Sequence, residues 1–113
     1  MCKGKIVLVP FIFDDLSSIK IRPSLCLTAP IGKYNHVILA LITSQIPTNL
    51  LDTDYVLSNH HPDFSLSGLS RHSTIKLEQL MTVRASVIKR ELGQLSSETQ
   101  NQIAEILCKV LEY

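Results

Sequence analysis

The chain has 113 residues, enough for one domain and too few for two. Its apolar share of 45% and charged share of 19% are those of a globular protein and argue against intrinsic disorder. A net charge of +1 names no polyanionic partner by itself, and no apolar run approaches the ~18–20 residues of a membrane span. Asp14 and Asp15 interrupt the first apolar run, so no signal peptide is expected. Three cysteines, Cys2, Cys26 and Cys108, lack metal-ligand spacing. Cys26 and Cys108 sit in apolar patterns, so buried free thiols and a cytoplasmic compartment are expected.

Residues 5–13 are nearly continuously apolar and β-rich, which predicts a buried strand ending around Pro10. Residues 14–21 are polar and read as an exposed loop. Pro23 keeps Arg22 extended, and residues 24–29 read as a second strand. Pro30, Gly32 and Asn35 mark a turn. Residues 36–44 form a third branched, apolar strand, followed by a loop over 45–52. Residues 54–58 predict a short strand, 59–63 a loop, and Gly68 a tight bend. Residues 73–77 alternate like a half-exposed strand. Residues 82–92 fit strand or helix, and Gly93 is expected to end them.

Ser97 and Gln100 fit a capping box, with Glu98 suited to a first helical turn. Ile103, Ile106, Leu107, Val110 and Leu111 then make one apolar stripe at helical spacing. Five or six short strands and a final amphipathic helix favour a small barrel over an alternating parallel sheet.

No glycine-rich phosphate loop, nucleophile elbow or paired-cysteine zinc motif is present in the sequence. His60 and His61 are adjacent, so on extended chain they point to opposite sides, and a polar loop is expected rather than a metal site. His36 and His72 both flank strand patterns and could meet as an acid–base pair. Arg22-Pro23 places a guanidinium on rigid extended backbone, able to grip a phosphate with two hydrogen bonds. An ordinary surface arginine is the competing reading. Thr43-Ser44-Gln45 offers two hydroxyls where a strand meets a loop, although threonine also simply suits strands. Arg71-His72-Ser73 repeats the theme of a cation beside a hydroxyl.

Taken in order, these segments resemble PemK/MazF-type toxins. Gly4-Lys5-Ile6-Val7-Leu8-Val9-Pro10-Phe11 is similar to the family's opening strand, and Arg22-Pro23 leads into the next. Ile42-Thr43-Ser44-Gln45, Asp63-Phe64, Ser67-Gly68-Leu69, residues 73–77 and residues 92–96 continue the pattern. The resemblance spans nearly the whole chain and implies one toxin domain over residues 1–113. It implies a mainly β (α+β) fold, a small SH3-like β-barrel with a C-terminal helix, usually as a homodimer. It further implies a cytoplasmic endoribonuclease that cuts single-stranded RNA at short motifs, needs no metal or cofactor, and is neutralised by a cognate antitoxin.

By the same resemblance the family's catalytic arginine falls on Arg22 and its active-site threonine on Thr43, with Ser44 beside it. RNA contacts are expected from Lys20, Pro23, Gln45, Arg71 and Ser73, with the 12–21 loop as a flap. Two positions depart from the family pattern: Lys5 stands where an acid usually follows the opening glycine, and Ser73-Thr74 replaces an acid–glutamine pair. Two other readings remain open: a non-catalytic toxin of the same fold that binds a protein such as gyrase, and a non-toxic interaction module.

Overall fold

A computed structural model describes residues 2–12 and 19–112. Six strands form one antiparallel sheet: β1 (Lys5–Ile12), β2 (Ile19–Cys26), β3 (His36–Thr43), β4 (Asp54–Leu57), β5 (Ser73–Arg84) and β6 (Arg90–Gln94). A short helix α1 (Phe64–Ser67) precedes β5, and a long one, α2 (Ser97–Val110), follows β6. The strand order β4-β5-β3-β2-β1-β6 curls into a half-barrel. This is the mainly β barrel with a C-terminal helix that the sequence implied.

The continuous apolar runs follow from burial on both faces of the sheet. Ile6, Leu25, Ala40, Ile42, Ile75 and Leu77 face one core, which Ile103 of α2 completes with Ile106 and Val110 against it. Val7, Val9, Phe11, Cys26, Val37, Leu39 and Leu41 face a second core, packed by Met81, Val83, Ala85 and Ile88. β5 serves both cores. Its register against β3 shifts between Ala40 and Leu41, whose partners are Leu80 and Lys76. Such an irregularity bends a strand and re-aims its side chains, which curls the sheet over the second core.

Several boundaries differ from the sequence reading. Pro10 does not end β1, because β6 pairs with β1 only as far as Leu8 and a proline is tolerated on the free edge beyond. Ile19, Lys20 and Ile21 belong to β2, paired with Ile12, Phe11 and Pro10, so they are strand and not loop. The remainder of the expected flap, residues 13–18, lies outside the described residues. The ambiguous stretch 82–92 divides into the end of β5, a 3₁₀ turn over Ala85–Val87, and the start of β6.

Gly93 lies inside β6 opposite Ile6 and ends nothing. A side chain there would run into the backbone of Leu66 and Ser67, so glycine is what lets α1 close on β6. Gly68 does make the expected bend, ending α1 at φ 74°. Ser96, not Ser97, caps α2: its hydroxyl accepts the Thr99 N–H at 3.4 Å, and Gln100 donates to the Leu95 carbonyl instead of closing a capping box. Leu111, 77% exposed, falls outside the buried stripe.

The cysteines also differ from expectation. Cys26 is buried, but it is bridged to Cys2, with the two Cα atoms 5.9 Å apart, and Cys108 is exposed. Free buried thiols therefore no longer bear on the compartment. Among the described residues no helix is long and apolar enough to cross a membrane.

Candidate functional site

β2 and β3 pair only from Ser24 to Cys26, against Leu41 to Leu39. Beyond Ser24 they part. Pro23 sits at that fork; it still aligns with Leu8 of β1 but has no N–H to offer a ladder. β3 meanwhile stays paired with β5 up to Thr43 and Thr74. The fork opens a surface cleft of about 340 Å³. Arg22 and Pro23 form one wall, residues 41–45 the floor, and residues 69–71 with Ser73 the other wall.

The cleft thus gathers Arg22, Thr43, Ser44, Pro23, Gln45, Arg71 and Ser73 from three separate stretches of chain. Two guanidinium groups line it. Among the described residues lining it there is no Asp, Glu or His, so its charge suits an anion. The Gln45 N–H donates to Thr43 Oγ1 at 3.3 Å, which turns the chain out of β3 and leaves the threonine proton available to another acceptor. Ser73 is buried, and its hydroxyl donates to the Arg71 carbonyl at 3.0 Å. That bond shapes the turn presenting Arg71, and the Ser73 hydroxyl is spent on it.

Lys20 does not line the cleft; it is an exposed β2 residue opposite Phe11, one strand repeat before Arg22. The two candidate acid–base histidines do not meet. His36 starts β3 beside Arg84, whereas His72 is next to the opposite end, where Thr43 pairs with Thr74. The length of β3 separates them by roughly 23 Å at the usual strand rise. Nor is His61 open to a metal. Its Nδ1 accepts the Asp63 N–H at 3.0 Å, and its Nε2 lies 2.9 Å from the Tyr55 hydroxyl. No group of three potential metal ligands occurs among the described residues.

The perturbed titratable groups all lie away from the cleft. Burial pushes the Asp63 carboxyl up, but the Ser96 N–H, the Thr99 and Ser96 hydroxyls and nearby His61 more than reverse this and hold it below the ordinary value. Burial raises the Tyr55 phenol, and the Asp63 and Glu98 charges add to that. Lys76, whose ammonium burial alone would depress, is held above its ordinary value by Asp54 at 2.7 Å and by Glu78. These groups brace α2 and β4, whereas the cleft is lined by guanidinium and hydroxyl groups.

Sequence reading did not pick out Leu41, Leu69 or Ser70 as lining residues. Ser70 sits beside Arg71, and that adjacency was the available signal.

Residues 3–111 match the family model described as PemK-like, MazF-like toxin of type II toxin-antitoxin system. No curated protein sequence matches the chain. Solved structures share its fold. The toxin MazF-mt6 of Mycobacterium tuberculosis superposes with a TM-score of 0.71 at 21% identity, covering 96% of this chain and 96% of that one. An endoribonuclease in complex with its cognate antitoxin, from a mycobacterial species, gives 0.71 at 14% identity over 99% and 95%. The MazE-MazF structure from Deinococcus radiodurans gives 0.66 at 16% identity over 98% and 94%.

Proposed function

The chain belongs to the PemK-like, MazF-like toxins of type II toxin–antitoxin systems, and from that premise we propose that it is an endoribonuclease acting on single-stranded RNA without a metal. The observation that carries this reading is the convergence of Arg22, Arg71, Thr43 and Ser44 in the fork between β2 and β3. RNA supplies its own nucleophile, because the 2′-hydroxyl can attack the adjacent phosphorus. The protein then needs to hold the phosphate in line and stabilise the charge that develops on its oxygens.

Arg22 is suited to the non-bridging oxygens, since a planar guanidinium presents two parallel N–H donors. The Thr43 hydroxyl, oriented by the Gln45 N–H, donates to the same phosphate, and exposed Ser44 is a second donor. Arg71 stands across the cleft, placed to screen the leaving 5′-oxygen. The proton lost by the 2′-hydroxyl goes to solvent, and the leaving oxygen takes one from solvent. Ser73 cannot stand in for the family's carboxylate, because its hydroxyl is already donated to the Arg71 carbonyl.

The same lack of a lining carboxylate or imidazole favours a second reading, a non-catalytic toxin that binds a protein target. One assay separates them. Purified protein in EDTA is given a single-stranded RNA and the same RNA with one 2′-deoxy nucleotide 5′ of the cut. The expected products are a 2′,3′-cyclic phosphate or 3′-phosphate and a 5′-hydroxyl, with the deoxy RNA bound but uncut. A 5′-phosphate product, cutting of the deoxy RNA, or activity only with a divalent ion would overturn the mechanism. A folded, dimeric toxin that arrests growth yet cuts no RNA would favour the protein-binding reading. Neutralisation by a cognate antitoxin belongs to the same proposal.

A further inference from the structure

Far from the cleft, at the other end of β3, one tyrosine is dressed with cations. Tyr34 is 53% exposed, and the Arg84 guanidinium lies 4.5 Å from its ring centroid. Lys33 Nζ lies 5.7 Å from the same centroid, and the His36 ring meets the tyrosine edge at 6.3 Å. The backbone holds this group in place. Gly32 and Asn35 supply the positive φ angles of the β2–β3 hairpin turn, Ile31 and His36 bridge its base, and the Ala85 N–H donates to the Asn35 carbonyl at 2.9 Å. Among the described residues no carboxylate pairs with Lys33 or Arg84.

The charge pattern around this ring is one-sided. Residues 19–51 and 79–87 hold four of the eleven Lys and Arg residues, Lys20, Arg22, Lys33 and Arg84, and none of the ten Asp and Glu. Those two stretches contain β2, the hairpin, β3 and the second half of β5, which are neighbours in the sheet. The net charge of +1 therefore conceals a positive β2–β3–β5 region, with the acids placed on the rest of the chain.

We propose that Tyr34, Lys33 and Arg84 form a second contact for single-stranded RNA, holding the strand that runs out of the cleft along the β2–β3 side of the sheet. The proposal rests on the nuclease reading and adds to it a subsite remote from the reacting phosphate. The chemistry fits an unpaired strand. Bases stack on an exposed phenol ring or on a guanidinium plane, and nearby cations neutralise the phosphates between them. Roughly 23 Å of β3 separates this platform from Thr43 at the usual strand rise, so only RNA extending past the cleft reaches it.

The test measures binding, so it is independent of catalysis. The full chain is titrated with fully 2′-O-methylated, uncleavable single-stranded RNA in two lengths, one filling the cleft alone and one extended at both ends. Anisotropy is followed across a range of salt concentrations for the wild type and for the Tyr34→Ala, Arg84→Glu double variant. The long RNA should lose affinity by about tenfold in the variant, its salt slope should fall by about 1, and the short RNA should bind unchanged. If Arg84→Glu unfolds the chain, Arg84→Gln with Tyr34→Ala is read instead, and Tyr34→Phe should retain full affinity. Unchanged binding of the long RNA, or equal loss on both lengths, would overturn the proposal. So would a change in oligomeric mass without a change in affinity, which would make the patch a contact between copies. If the wild type binds neither RNA, the nuclease reading itself fails and takes this subsite with it.

Discussion

Arg22 is the residue to which the proposed mechanism assigns the phosphate, and its position follows from strand geometry. Pro23 cannot extend the β2–β3 ladder, so the chain forks there, and the preceding side chain stands at the mouth of the fork. On the proposed mechanism, replacing Arg22 with alanine removes the main stabiliser of phosphorane charge and should lower kcat/KM by ~10²–10³. Arg22→Lys should rescue little, because a point charge cannot reproduce a two-pronged grip. Circular dichroism and melting temperature should stay near wild type for both, and near-normal cleavage by folded Arg22→Ala would sink the assignment. Thr43→Ala should cost less than Arg22→Ala, and Thr43→Ser should keep most activity, since the Gln45 N–H can still orient a serine hydroxyl.

At the scale of elements, α2 is fastened to the sheet through its first turn. Asp63 is buried, and its Oδ2 accepts both the Ser96 N–H and the Ser96 hydroxyl at 2.8 Å. It thereby holds the residue that caps the helix. Asp63→Ala leaves those donors unmatched and should cost about 1–3 kcal/mol. The native carboxyl is held below its ordinary value, so its contribution is present above the unfolded carboxyl range near pH 4 and fades as pH falls through the lowered native value. Melting curves of wild type and Asp63→Asn should therefore differ at pH 7 and converge towards pH 3. A gap that does not change with pH would show that the carboxylate charge is irrelevant to the lock.

At the scale of the whole molecule, we propose that the chain works as a homodimer, as its family implies. It leaves several large apolar side chains exposed, among them Ile19, Ile21, Leu50, Leu51 and Leu66, more than half or close to half of each in solvent. A second copy is the economical cover for part of that surface. Light scattering at micromolar concentration should report about twice the 12.6 kDa chain mass. A clean monomer under those conditions would overturn the homodimer proposal.

Local signals are set by neighbours in sequence, so they were legible there. Branched apolar runs located the strands, Gly68 marked its bend, and residues 96–98 announced the last helix to within one position. The ordered motifs also pointed to Arg22, Thr43, Ser44 and Arg71, which the fold brings to one cleft. What the sequence could not decide depends on pairing between distant segments. Residues 19–21, at the end of a polar stretch, read as loop alone, and become strand because β1 offers them a ladder. Gly93 reads as a breaker, and is instead the space into which the backbone of Leu66 and Ser67 fits. His36 and His72 look like possible partners until β3 holds them a strand length apart. Cys2 and Cys26 carry no spacing signal, and meet because β1 folds back along β2. The cleft itself is of this kind: two strands part at a proline, and only the register of three strands says what faces the opening.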